Sequence, residues 1–281
     1  DRADVRIDGV AFVDMGRTLG TPLNSAVVQP DGTVKPGTNQ IGRYPVHLHH
    51  LMGPVNPSNT GFQAEISNCV VERPTKWGVA IHDTHFTRVE DNVVLFPRGP
   101  GIATEDGSES NNSIQRNLVI GARRELDAPN SAIPDNRGDG FWFHGLHKTT
   151  IANNVAADCA ERGLTSWLAD SRNTRRIPTF RGEDISQAGA GESLRMGSAE
   201  PFVQGNEAYG CGQAFIWYGL GLSQRPAPHG DPAAPHFTVA DMVAWHCLQC
   251  AALYSEHEVT WVRPRFLGDP SQLNSDWFGF Q

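Results

Sequence analysis

The stretch VEDNVVLFPRGPGIATED, residues 89–106, holds two short apolar runs separated by a proline- and glycine-rich turn. VEDNVV places an asparagine between apolar residues, and nine positions later GIATED begins a run in which apolar and other residues alternate. Alternation over a few residues, bounded by turn residues, is the pattern of a half-buried strand. The same pair of runs recurs along the chain. ISNCVV (66–71), IQRNLV (114–119), IANNVA (151–156) and VQGNEA (203–208) repeat the first run, and GVAIHD (78–83), GFWFHG (140–145), GLTSWL (163–168) and QAFIWY (213–218) repeat the second.

Asn68 and Asn92 are 24 positions apart, Asn92 and Asn117 are 25 apart, and the step to Asn154 is 37. The excess lies in polar stretches such as DAPNSAIPDNRGD (127–139). A near-constant period with loop insertions is the signature of a solenoid. Propeller blades need about 40 residues per repeat, and the leucine-rich pattern is missing. The expected fold is all-β, a right-handed parallel β-helix with loops inserted between coils. The asparagines are expected at coil corners, where αL geometry is tolerated.

Composition limits the alternatives. The 281 residues carry 23 basic against 31 acidic side chains, a net charge of −8, which argues against nucleic-acid binding. No run approaches the roughly 18 apolar residues of a membrane span. Five cysteines form no even framework, and HCLQC (246–250) has CxxC spacing without a second pair, so buried free thiols are expected rather than zinc. The chain reads as one domain, 1–281, cut from a longer protein whose neighbouring sequence caps the solenoid ends.

Stacking the second series puts Val46, Val79, Ile102, Phe141, Leu164 and Ala214 in one inward column, and Leu48, Ile81, Thr104, Phe143, Ser166 and Ile216 in the next. The outward columns then read His47, Ala80, Ala103, Trp142, Thr165, Phe215 and His49, His82, Glu105, His144, Trp167, Trp217, flanked by His50, Asp83 and Asp106. Coils stack about 5 Å apart, so imidazoles and carboxylates gather on one patch. His47, His49, His82 and His144 are candidate metal ligands. Imidazole suits zinc, copper, iron or nickel, and carboxylate suits calcium, magnesium or manganese. Without a metal, the same groups suit acid–base chemistry. Trp142, Trp167 and Trp217, with Tyr44, are candidate platforms for sugar rings.

GRYPVHLH (42–49), IHDTH (81–85), DNVV…GIATEDG (91–107) and GFWF (140–143) occur in this order. They resemble the parallel β-helix region of the family of the cell migration-inducing hyaluronan-binding protein and its transmembrane hyaluronidase relative, often found beside a G8 domain. The likeness covers about residues 5 to 170. It implies a secreted or cell-surface protein, hyaluronan depolymerisation reported as calcium-dependent for the animal members, and site residues Arg43, His47, His49, His82 and Asp106. No G8 domain is present, and Asp83 stands where the animal proteins have Gly.

The expected function is therefore cleavage of a polysaccharide in an outer groove. Elimination on a uronate polymer would use His82 or His49 as base, with Arg43 or a metal neutralising the carboxylate. Hydrolysis would pair Glu105 with Asp106 or Asp83. Two other classes stay open: a copper, iron or zinc enzyme acting on something other than glycan, and a non-catalytic glycan-binding adhesin.

Overall fold

The computed structural model describes residues 2–16, 24, 26–37, 43–51, 53–54, 61–105, 109–124, 138–144, 146, 148–167, 202–218, 236–254 and 258–268. The described secondary structure is all strand, wound as a right-handed parallel β-helix. Among the described residues each of the first seven turns contributes one strand to each of three long parallel sheets, and the last turn adds one to two of them. In the turn first read from sequence these are Thr87–Glu90, Val93–Leu95 and Ile102–Thr104. The third strands form a seven-stranded sheet that starts with Val46–His49, Val79–His82, Ile102–Thr104 and Phe141–Phe143. A short antiparallel hairpin, Val27–Val28 with Val34–Lys35, stands off the first turn with its three valines exposed. Among the described residues, no helix is long and apolar enough to cross a membrane.

The bore is lined by like-on-like columns. Ile66, Val89, Ile114, Ile151, Val203 and Val239 are paired in register on one sheet, and Val71, Val94, Val119, Ala156, Ala208 and Ala244 on the second; all are buried. Where the second sheet turns into the third, the chains come very close. A Cβ on Gly101 would lie 2.7 Å from the Gly140 carbonyl oxygen of the next coil, so that position excludes any side chain. All five cysteines are free and buried.

The asparagines do something other than expected. The αL corner positions belong to the preceding residues, Asp91, Arg116, Asn153, Gly205 and Asp241, with φ between 53° and 67°. Asn68 is one of this exposed column, and Cys69 rather than Asn68 lies level with Asn92. Asn92, Asn117, Asn154 and Asn206 point inward and are buried. Each Oδ1 accepts from a backbone N–H of the preceding coil, at 3.0–3.1 Å. Each Nδ2 donates to a carbonyl of the preceding coil, from Ile66, Val89, Ile114 and Ile151 in turn, at 2.8–2.9 Å. The first three also donate to the next asparagine's Oδ1 at 3.0 Å. The turn leaves buried backbone groups that the sheets cannot pair, and the ladder satisfies them.

The expected register holds through the fifth coil and then slips. Leu164 pairs with Phe215 rather than Ala214, Ser166 with Trp217 rather than Ile216, and Trp167 with Tyr218 rather than Trp217. QAFIWY is apolar on both faces, so alternation does not choose its register. In the observed register Phe215 and Trp217 join the core, and Ala214 and Ile216 are fully buried as well.

Asn117→Ala is expected to cost about 2–4 kcal/mol, because it strands the buried Asn92 N–H and the Val89 carbonyl of the preceding coil. Asn68→Gly, at an exposed αL corner, is expected to stay within about 0.5 kcal/mol. Urea unfolding of both variants checks the contrast.

Candidate functional site

The strand Val46–His49 sends Val46 and Leu48 into the core, so His47 and His49 must point outward. His49 is level with His82 on the next coil. Glu105 follows Thr104 one coil further, held by its N–H donating to the Ile81 carbonyl at 2.9 Å. Regular parallel pairing thus brings the histidines together. Their ring centroids are 5.0 Å apart for His47 and His49, 4.4 Å for His49 and His82, and 5.7 Å for His47 and His82. One ring nitrogen of each lies within 4.8 Å of the others, a spacing that could hold a metal ion.

Glu105 supports this group from beside it. His82 Nδ1 lies 3.0 Å from Glu105 Oε2, and the Tyr44 hydroxyl donates to Oε1 at 3.1 Å. Burial pushes the Glu105 carboxyl up, but its hydrogen bond and charge interaction with His82, the Tyr44 hydroxyl and the Lys76 ammonium outweigh burial and hold it below the usual carboxylate range. With Nδ1 turned to a carboxylate, His82 presents Nε2 to His47 and His49.

The other expected residues are placed differently. His144 Nδ1 donates to the Glu105 carbonyl at 2.7 Å and its ring lies 3.9 Å from Trp142, so it stands outside the three-histidine group. Asp83 is in αL geometry and turns its carboxylate between His50 and His85, 3.9 Å from each Nε2. Arg43 is exposed. Asp106 and the Trp167 side chain lie outside the described residues.

The expected aromatic platform is corrected. Trp217 is fully buried in the bore, for the reason given by the register slip. Trp142 and Tyr44 are also buried, and with Trp77, Ala80 and Ala103 they form a second apolar cluster. Ala80 and Ala103 are small enough to let large rings lie across the outer face of the sheet. Trp77 packs 5.0 Å from Tyr44 and edge-on, at 5.3 Å, against Trp142. These rings close the outer face beside the histidines instead of presenting flat surfaces to a sugar. Nothing in the sequence marks Lys76 and Trp77, because TKWG (75–78) is one turn among many and carries no periodic signal.

Residues 33–182 match the profile described as the CEMIP β-helix. The chain belongs to that family. This chain is 30% identical over 131 residues to fibrocystin-L of Mus musculus, covering 47% of this chain and 3% of that protein. It is 26% identical over 141 residues to the cell surface hyaluronidase CEMIP2 of Homo sapiens, covering 49% of this chain and 10% of that protein. The chain thus spans a small part of the curated relatives it matches. No solved structure matches.

Trp217→Ala is expected to cost about 3–5 kcal/mol in urea unfolding, as a core truncation does. Glu105 has a depressed pKa, so its contribution to stability is present above the unfolded value of about 4.5 and is lost as pH falls through the lower folded value. Glu105→Gln is therefore expected to unfold at lower urea than the wild type at neutral pH, and the two curves are expected to converge in acid.

Proposed function

We propose that this CEMIP β-helix is a glycan-acting enzyme whose site is a transition-metal centre held by His47, His49 and His82. The observation that carries this reading is the approach of three imidazole nitrogens within 4.8 Å of one another. Calcium, which the family resemblance implies, takes about six to eight oxygen ligands, and a three-imidazole set does not suit it. Zinc, copper, iron or nickel suits this donor set. A bound divalent cation would supply neutralisation of an anionic substrate group, such as a uronate carboxylate.

The chain's own residues favour elimination over paired-carboxylate hydrolysis. Glu105 is held ionised with both oxygens engaged, which makes it a poor proton donor to a leaving oxygen. His50 is the better candidate for proton transfer. Its ring stacks on His49 at 3.9 Å, its Nε2 faces Asp83, and its side chain is 44% exposed. In the proposed step His50 removes the C5 proton of a uronate while the bond from C4 to the glycosidic oxygen breaks. A C4–C5 double bond forms, and the leaving oxygen takes a proton from water. Arg43, exposed three residues before the strand Val46–His49, is a second cation for the substrate carboxylate.

Purified protein is expected to bind one equivalent of zinc, which excess calcium does not displace. His82→Ala is expected to abolish binding and turnover together. His50→Ala is expected to keep the zinc and lose at least about 100-fold in turnover of a uronate polymer, followed by the ultraviolet absorbance of the unsaturated product. Chain cleavage without that absorbance would make the enzyme a hydrolase. Glycan binding with no cleavage in any form would make it a binding module.

A further inference from the structure

The outer side of the second sheet breaks a rule that the first sheet keeps. On the first sheet the outward residues of the early coils are polar: Arg6, Asp8, Glu65, Ser67, Arg88 and Glu90. A sheet face against water calls for such residues. Each of the eight strands of the second sheet turns its middle residue to the bore and two residues outward, sixteen in all. Thirteen of the sixteen are apolar, and the exceptions are Glu72, Glu207 and Arg265.

The rim extends the face. Val13 is 42% exposed, Leu267 48% and Phe96 52%. Phe96 stands at an αL corner with φ 54°, at the level where other coils place Asp14, Arg73 and Asp158. A bulky residue is disfavoured in that geometry, so the apolar ring is kept there against a local preference. Two of the three charged exceptions are answered on the face itself. Trp245 Nε1 donates to Glu207 Oε1 at 2.6 Å, and Glu72 pairs with Arg73. Tyr209 and Trp245 stack on each other at 4.5 Å, continuing the apolar column. Covering this face strips little unpaired charge of its water.

We propose that this face is the interface of a dimer, and that its occupant is the same face of a second copy of the chain. Eight coils at about 4.8 Å make a strip about 35 Å long, and three-residue strands make it about 10 Å wide. That reaches the size of the largest apolar patch on a typical monomer before the rim is counted. With rim residues such as Val10, Phe96 and Leu248, the face approaches the roughly 20 to 30 residues that each side of a standard interface uses. Spacing selects the partner. A docked helix repeats every 5.4 Å or so and slips by about a whole coil over this length. A second copy has the same coil spacing, so its side-chain rows stay in step from end to end as the two sheets pack face to face. A twofold axis sets the same patch on both sides and closes the assembly at two. His47, His49 and His82 belong to the third sheet, so the dimer is independent of what they bind.

Sedimentation velocity of the whole chain over a range of concentrations tests this. Wild type is expected to be a dimer at about 10 µM. Leu118→Lys and Val93→Lys each put an ammonium group in the middle of the face. Each is expected to raise the dimer dissociation constant at least about 100-fold while keeping the wild-type circular dichroism. Thr150→Lys, on the outer side of the first sheet, is expected to leave the dimer intact. If only one of the two face variants folds, that one decides. A wild type that is monomeric at every concentration overturns the proposal and gives the face to a different occupant. A folded face variant that dimerises as well as wild type overturns it too, as does a mass that climbs past two chains.

Discussion

Coil-to-coil register is the constraint on which everything else in this molecule depends, and the asparagine ladder at one corner holds it. Backbone pairing between parallel strands is almost indifferent to sequence, so a strand could slide two residues and keep its alternation. The ladder cannot slide. Asn92, Asn117, Asn154 and Asn206 each match a backbone donor and a backbone acceptor that have no other place in the sheets, and moving one coil would orphan both. Inside an apolar bore that loss outweighs what a slightly different packing could return.

The site inherits its geometry from that register. His49 stands over His82 and Glu105 lies one coil beyond because the strands that bear them are stacked without offset. None of these side chains needs a specialised loop to be brought together. The cost is that imidazoles and a carboxylate share a partly buried patch, and the surrounding groups answer it. Glu105 is kept ionised by His82, Tyr44 and Lys76, and the Lys76 charge is spread over two aromatic faces. The closed aromatic layer of Tyr44, Trp77 and Trp142 screens one side of the patch from water, while His49 and His50 face it on the other.

The fold was legible because a solenoid repeats its rules. The columns headed by Val46 and Leu48 could be read by aligning glycines and asparagines, and the structure pairs them as aligned through Ser166. Legibility ended where the pattern stopped discriminating. QAFIWY has no polar face, so its register was decided by which rings the bore could take. Polarity also misled at the corners, where asparagine is at home both in αL turns and in buried ladders. The two neighbours in IANNVA take one role each: Asn153 turns the corner and Asn154 joins the ladder.

The sequence by itself determined the periodic strands, the winding into a β-helix and the outward direction of His47, His49, His82 and Glu105. These follow from local alternation and from a repeat length that only one architecture satisfies. Tertiary structure alone decided which polar residues support the histidines, which aromatics are buried and which way the hydrogen bonds run. Tyr44 meets Glu105 across 61 positions, Lys76 and Trp77 pack on Tyr44, and these partners depend on side-chain packing that no local pattern encodes.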